Sequence, residues 1–159
     1  MSHMPPWRET TRQMFPELDL AINKVADPYD LWFELRIAYK NAYTQTPKNE
    51  SLIRRIYQFG HWCEIQPRGQ TAEDDLFTAV CVCFYEHIPD MEPAWQDMPR
   101  WFSLQEFDNM RELWEYRFKN DGYLQLRKNF MQRKKAYQPK LRNFDPKKWP
   151  ASSNPAASE

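Results

Sequence analysis

TAEDDLFTAVCVCFYEHIP, residues 71–89, decides the fold. Thr71 and Asp74 have the spacing of a capping box, with Asp in place of the usual Glu or Gln. Glu73, Asp74 and Asp75 follow in the first turn, where the helix dipole favours carboxylates. Pro89 ends the pattern, because proline has no N–H and clashes with the preceding turn. At ~100° per residue, Leu76, Ala79, Val80, Cys83, Phe84 and His87 share one face. Phe77, Cys81 and Ile88 widen it, and Val82 lies opposite. A helix apolar around most of its circumference is one that others surround, so a core helix is predicted at about 72–88.

The other segments are helical by the same reasoning. Residues 15–26 read as a short helix entered at Pro16. Asp27-Pro28 reads as an N-cap followed by proline at the first helical position, and a helix to about Gln45 follows. Its apolar face is Leu31, Trp32, Leu35, Ala38, Tyr39, Ala42 and Tyr43. Thr46-Pro47 repeats the start signal for a helix burying Leu52, Ile53, Ile56, Phe59 and Cys63. Gly60 lies on that face and costs ~1 kcal/mol relative to Ala, which predicts close approach of a neighbour.

Residues 90–102, DMEPAWQDMPRWF, hold two prolines without an evident helical period and read as a loop. Ser103 and Glu106 form a capping box for a helix to about Asn120, with Leu104, Phe107, Met110, Trp114 and Phe118 on one face. Gly122 has the character of a C′ residue, and a basic helix runs from Tyr123 to about Tyr137. The expected fold is an irregular all-α bundle of five or six helices with a disordered C-terminal tail. The divisions are an N-terminal segment at 1–15, where Ser2-His3-Met4 reads as the end of a tag with Met4 as the native start, a helical domain at 16–137, and a basic, proline-containing tail at 138–159.

Net charge is zero but unevenly spread. Residues 70–99 carry seven acids and no Lys or Arg, whereas residues 127–148 carry nine bases and one acid. With only three glycines there is no glycine-rich phosphate cradle. No apolar run of 18 residues and no signal peptide is present, so the expected location is cytoplasmic, without membrane contact. An odd number of cysteines, three, favours free thiols over a disulfide framework.

Chemistry-bearing pairs are sparse. Cys83 and His87, at i and i+4, are weak candidates for a metal or for a nucleophile and its base. Cys81 lies ~160° from Cys83 around the helix and cannot join them. The expectation is no metal, no cofactor, no small-molecule substrate and no enzymatic activity. Trp95, Arg100, Trp101 and Phe102, with the acids Asp90, Glu92 and Asp97, are the protein-binding candidates, since Trp and Arg are enriched in hot spots. Arg127, Lys128, Arg133, Lys134 and Lys135 carry the alternative, nucleic-acid binding. A solvated basic face, or a strap across the acidic block, is the plainer reading of the same residues.

IYQFGHWC at 56–63, AVCVCFYEHIP at 79–89 and MPRWFS at 98–103 resemble a family of small bacterial all-helical proteins known only as a domain of unknown function. The resemblance spans roughly residues 27–130. It implies a bacterial cytoplasmic protein and no activity, and it carries over no catalytic residue. By analogy with other small helical proteins lacking enzymatic motifs, an immunity or antitoxin role is expected. The leading expectation is thus a non-enzymatic protein-binding module, and the second a nucleic-acid accessory protein.

Overall fold

The computed structural model describes residues 6–71 and 75–135. Among them are eight α-helices, two 3₁₀ helices and no strand. The all-α expectation holds. The tag reading at Ser2-His3-Met4, the proposed cap residue Asp74 and the tail at 138–159 lie outside the described residues.

α1 (Pro6–Met14), within the N-terminal segment, packs on the helical body. Trp7, Thr11 and Met14 recur at helical spacing and are buried. Arg8 ties the segment down by donating to the Ile22 and Val25 carbonyls, at 3.0 and 2.6 Å. Residues 15–26 hold less helix than expected: a 3₁₀ turn at Pro16–Leu18, then α2 (Asp19–Ile22). α3 (Pro28–Thr44) starts as predicted, with the Asp27 carboxylate accepting from the Asp30 N–H at 2.9 Å. α4 (Glu50–Glu64) begins later than Thr46-Pro47 indicated, because Asn49 supplies the cap, accepting from the Leu52 N–H at 3.2 Å.

The decisive stretch forms α5 (Leu76–Cys83), which is shorter than expected at both ends. Asp75 is the N-cap, accepting from the Thr78 N–H at 3.2 Å. Phe84 leaves the helical region, at φ −121° and ψ −66°, and residues 85–90 continue as a 3₁₀ helix, Tyr85–Asp90. The cause is Pro89, whose ring and missing N–H disturb the α ladder one turn upstream of the proline itself. Phe84 therefore sits at the break, and four rings surround it. Trp32 stacks on it at 5.0 Å, and Tyr39, Tyr57 and Tyr85 lie at 5.0, 5.4 and 5.5 Å. Each such pair adds about 0.5–1.5 kcal/mol beyond its buried area.

Gly60 makes the close approach that its cost implied. A Cβ there would stand 2.9 Å from the Tyr85 hydroxyl. Tyr85 is fully buried, lies edge-on to Phe102 at 5.5 Å, and donates to Glu64 at 2.8 Å, so it has little room to yield. Gly60→Ala is expected to lose about 1–3 kcal/mol through overpacking, despite the ~1 kcal/mol gained in helix propensity. Urea unfolding checks this, and a variant at least as stable as the parent would show that the Tyr85 ring moves aside.

Residues 92–101 form a helix, α6 (Glu92–Trp101), where a loop was expected. Pro93 falls in the first turn, where an N–H has no intrahelical partner anyway, and Pro99 falls in the last. The buried positions are Ala94, Asp97, Met98, Pro99 and Trp101, and all but Pro99 follow a helical repeat concealed by the acid at one of its points. α7 (Leu104–Asn109) opens on the capping box as read: Ser103 Oγ accepts from the Glu106 N–H at 3.0 Å, and Glu106 accepts from the Ser103 N–H at 2.9 Å.

α8 (Arg111–Lys134) is two arms joined at Lys119, whose φ of 61° and ψ of 178° are non-helical. The break comes three residues before Gly122, which is not the C′ residue but packs against Phe118. Arg111 lies over the Tyr123 ring at 5.0 Å, although twelve residues of straight helix would separate them by ~18 Å. The second arm thus folds back toward the first. Phe107 lies between them, stacked on Trp114 at 5.6 Å, Tyr123 at 6.4 Å and Phe130 at 4.5 Å.

Candidate functional site

Three of the seven residues of the sequence-predicted contact surface are core. Trp101 is 1 % exposed and stacks on Tyr57 at 4.7 Å, and Phe102 is fully buried. Asp97 is 8 % exposed. Asp97 and Trp101 share the inward face of α6, Phe102 is buried at its extended C-cap, and none of the three can act as a contact anchor. Trp95 is half-buried, with the Arg133 guanidinium over its ring at 5.6 Å. Glu92 is exposed. Asp90 accepts from Arg117 at 2.9 and 3.1 Å and from His87 at 3.0 Å.

Asp97 instead anchors a polar network between α3, α4 and α6. Tyr43 Oη and Lys48 Nζ both donate to Asp97 Oδ2 at 3.0 Å. Arg100 donates to Glu50 at 3.2 and 3.4 Å and stands 3.7 Å from Asp97. Burial, with Tyr57 and Asp97 nearby, keeps Tyr43 protonated far above ordinary phenol range, so it remains a donor. Burial alone would raise the Glu50 carboxyl, but the hydrogen bonds and charges of Arg100 and Lys48 outweigh it and hold the group below its ordinary value. A lowered carboxyl stabilises the fold above the ordinary pKa of about 4.3, and that contribution disappears as pH falls through the lowered value. The stability gap between the parent and Glu50→Gln is therefore expected to be widest near neutral pH and to close below about pH 4, read from urea unfolding across pH. A gap independent of pH would sink this account.

The Cys83–His87 pair does not survive the helix break. The two residues stand on different elements, either side of Phe84, and His87 Nδ1 meets Asp90 Oδ2 at 3.0 Å. Among the described residues no three His, Cys, Asp or Glu side chains are grouped to hold a metal ion. The thiols are also poorly suited to nucleophilic work. Burial pushes Cys81 up to about 12 and raises Cys83 and the fully buried Cys63, so thiolate is scarce near neutral pH.

Of the five basic candidates, three are engaged within the fold. Arg127 makes a two-pronged pair with Asp108 at 2.9 and 3.0 Å. Arg133 lies over Trp95, and Lys134 donates to the Pro99 and Phe102 carbonyls at 3.1 and 3.0 Å. Lys134 thereby holds the C-terminal end of α6, where the helix dipole favours a cation. This is a strap onto α6, through carbonyls and an indole ring rather than through the acids. Lys128 and Lys135 point outward.

The unassigned exposed apolar surface lies elsewhere. Leu20 is 80 % exposed, Phe33 54 % and Ile37 45 %. Leu20 and Phe33 line a groove of about 470 Å³ between α2 and α3, together with Ala21, Val25, Lys24, Asp30 and Glu34. Ile37 extends it one turn along α3, and the Arg36 guanidinium stands 5.8 Å from the Phe33 ring. Sequence reasoning passed over this patch although a signal was present. Phe33 and Ile37 sit ~200–240° from Leu31 around α3, outside its core face, and two bulky apolar residues there have no internal partner to meet.

No family model matches the chain, and no curated protein or solved structure matches it significantly. No helix among the described residues is long and apolar enough to cross a membrane.

Proposed function

We propose that the chain is a non-enzymatic helical binding module that docks another protein on the α2–α3 groove. The observation that carries this is the contiguous exposure of Leu20, Phe33 and Ile37 on a body whose other aromatic residues are mostly packed inside. An exposed apolar patch rimmed by polar residues marks an interaction surface more often than chance placement does. Here the rim is Lys24, Asp30, Glu34 and Arg36, of mixed sign. An apolar centre inside a polar rim is the usual anatomy of a protein interface. Because the rim is mixed, the association rate should depend only weakly on salt, unlike that of a purely acidic surface. A cytoplasmic location belongs to the same proposal and is supported by three free cysteines. So does an immunity or antitoxin-like role, in which the partner's activity is lost in the complex.

The test is a pull-down from a lysate of the native host with the full chain and with Phe33→Asp/Ile37→Asp. One protein retained by the parent and lost by the variant, with thermal unfolding unchanged, is the expected result. A protein retained equally by both, or retention of nucleic acid alone, would overturn the proposal.

A further inference from the structure

A second exposed surface has a different chemistry. On the second arm of α8, Leu124 is 50 % and Met131 42 % exposed. They floor a groove of about 370 Å³ whose remaining lining residues are Arg127, Lys128, Gln132 and Lys135. At ~100° per residue, Leu124, Lys128, Met131 and Lys135 fall within ~60° of one another, while Tyr123 and Phe130 turn inward. The result is one outward stripe, apolar along its centre and cationic along its sides, with no acid among the lining residues.

We infer that this stripe is a docking site for an acidic amphipathic helix of a partner protein. Three observations favour that occupant. Arg127 is neutralised by Asp108, but Lys128 and Lys135 stand exposed beside the apolar pair, so a partner carrying Glu or Asp beside its apolar residues is complementary where a basic one is repelled. Leu124 and Met131 are seven residues apart, a spacing that meets apolar residues at i and i+7 on a facing helix. Methionine also adapts its shape to a partner surface. Nucleic acid fits less well. The aromatic residues of this arm, Tyr123 and Phe130, are buried and offer no ring for a base, and Arg127 is committed to Asp108. The chain's own residues 136–159 are unsuited by charge, since they carry Lys140, Arg142, Lys147 and Lys148 against Asp145 and Glu159.

Fluorescence anisotropy on the full chain tests this with three probes. They are a labelled acidic helical peptide of about 20 residues with leucines at i and i+7, the same peptide with lysines for glutamates, and a single-stranded RNA of about 20 nucleotides. The acidic peptide is expected to bind. Lys128→Glu/Lys135→Glu and, separately, Leu124→Ser/Met131→Ser should each weaken it about tenfold or more. All four positions are exposed, and circular dichroism is to check that the helix persists in each variant. Phe33→Asp/Ile37→Asp should leave this binding unchanged, which separates it from the α2–α3 groove. Equal binding of the lysine peptide, or no binding of the acidic one, overturns the inference. So does RNA binding that is lost with the lysines but indifferent to Leu124→Ser/Met131→Ser. Sedimentation showing a dimer broken by the same variants would give the stripe to a second copy and overturn it as well.

Discussion

Trp101→Ala is expected to cost about 3–5 kcal/mol of stability, enough to leave a marginal domain largely unfolded. The indole is 1 % exposed. It stacks on Tyr57 at 4.7 Å with an interplanar angle of 12°, and Arg100 lies over it at 5.2 Å. Tyr57 in turn packs edge-on to Phe102 at 5.7 Å and to Tyr39 at 5.7 Å. Truncation removes a large buried side chain whose neighbours are themselves held by rings and hydrogen bonds, so the cavity cannot close. Urea unfolding gives the answer. A loss within about 0.5 kcal/mol, the range of an exposed site, would return Trp101 to the role of a surface anchor.

The second large effect is expected at Asp97. Asp97→Ala removes the acceptor shared by Tyr43 and Lys48 and takes away the charge 3.7 Å from Arg100. Lys48 and Arg100 are partly exposed and keep Glu50 as a partner. Tyr43 is buried, and its hydroxyl proton would lose its acceptor, with Tyr39 left as a hydrogen-bond neighbour. The expected loss is about 2–4 kcal/mol, below that of a fully buried ion pair because Lys48 reaches solvent. Asp97→Asn keeps an acceptor for Tyr43 and should cost less. A double-mutant cycle with Tyr43→Phe isolates the hydroxyl–carboxylate contact, with a coupling of about 0.5–3 kcal/mol expected. Additive losses would show that the Tyr43–Asp97 contact contributes nothing and that Asp97 acts through its cations alone.

Both positions illustrate how composition misleads at a helix that carries function-like residues inside it. Trp, Arg and acids between two prolines resemble a binding loop when read as a list. Read at a spacing of three and four, Ala94, Asp97, Met98 and Trp101 are one inward face, and Arg100 is beside it. Asp97 belongs to that face because a carboxylate can be buried where a phenol and an ammonium meet it, as Tyr43 and Lys48 do. The reverse holds on α3 and α8. Phe33, Ile37, Leu124 and Met131 are ordinary apolar residues, and only their position off the core faces marks them.

By itself the sequence determined the helical class, through its apolar spacing at three and four. It also set the caps at Asp27 and at Ser103 with Glu106, and the close approach at Gly60. The caps rest on interactions within a few residues of chain, where local geometry leaves few alternatives, whereas Gly60 showed only that a neighbour comes close and packing chose Tyr85 as that neighbour. Only the tertiary structure decided that Pro89 acts a turn upstream to place Phe84 among four rings, and that α8 folds back at Lys119. It alone decided that Arg127, Arg133 and Lys134 are committed inside the fold, leaving Lys128 and Lys135 outside. Those outcomes depend on residues well separated in the chain meeting in space, as Phe84 meets Trp32, Arg127 meets Asp108 and Arg133 meets Trp95. Such pairings are set by how the helices pack, and no local pattern in the chain encodes them.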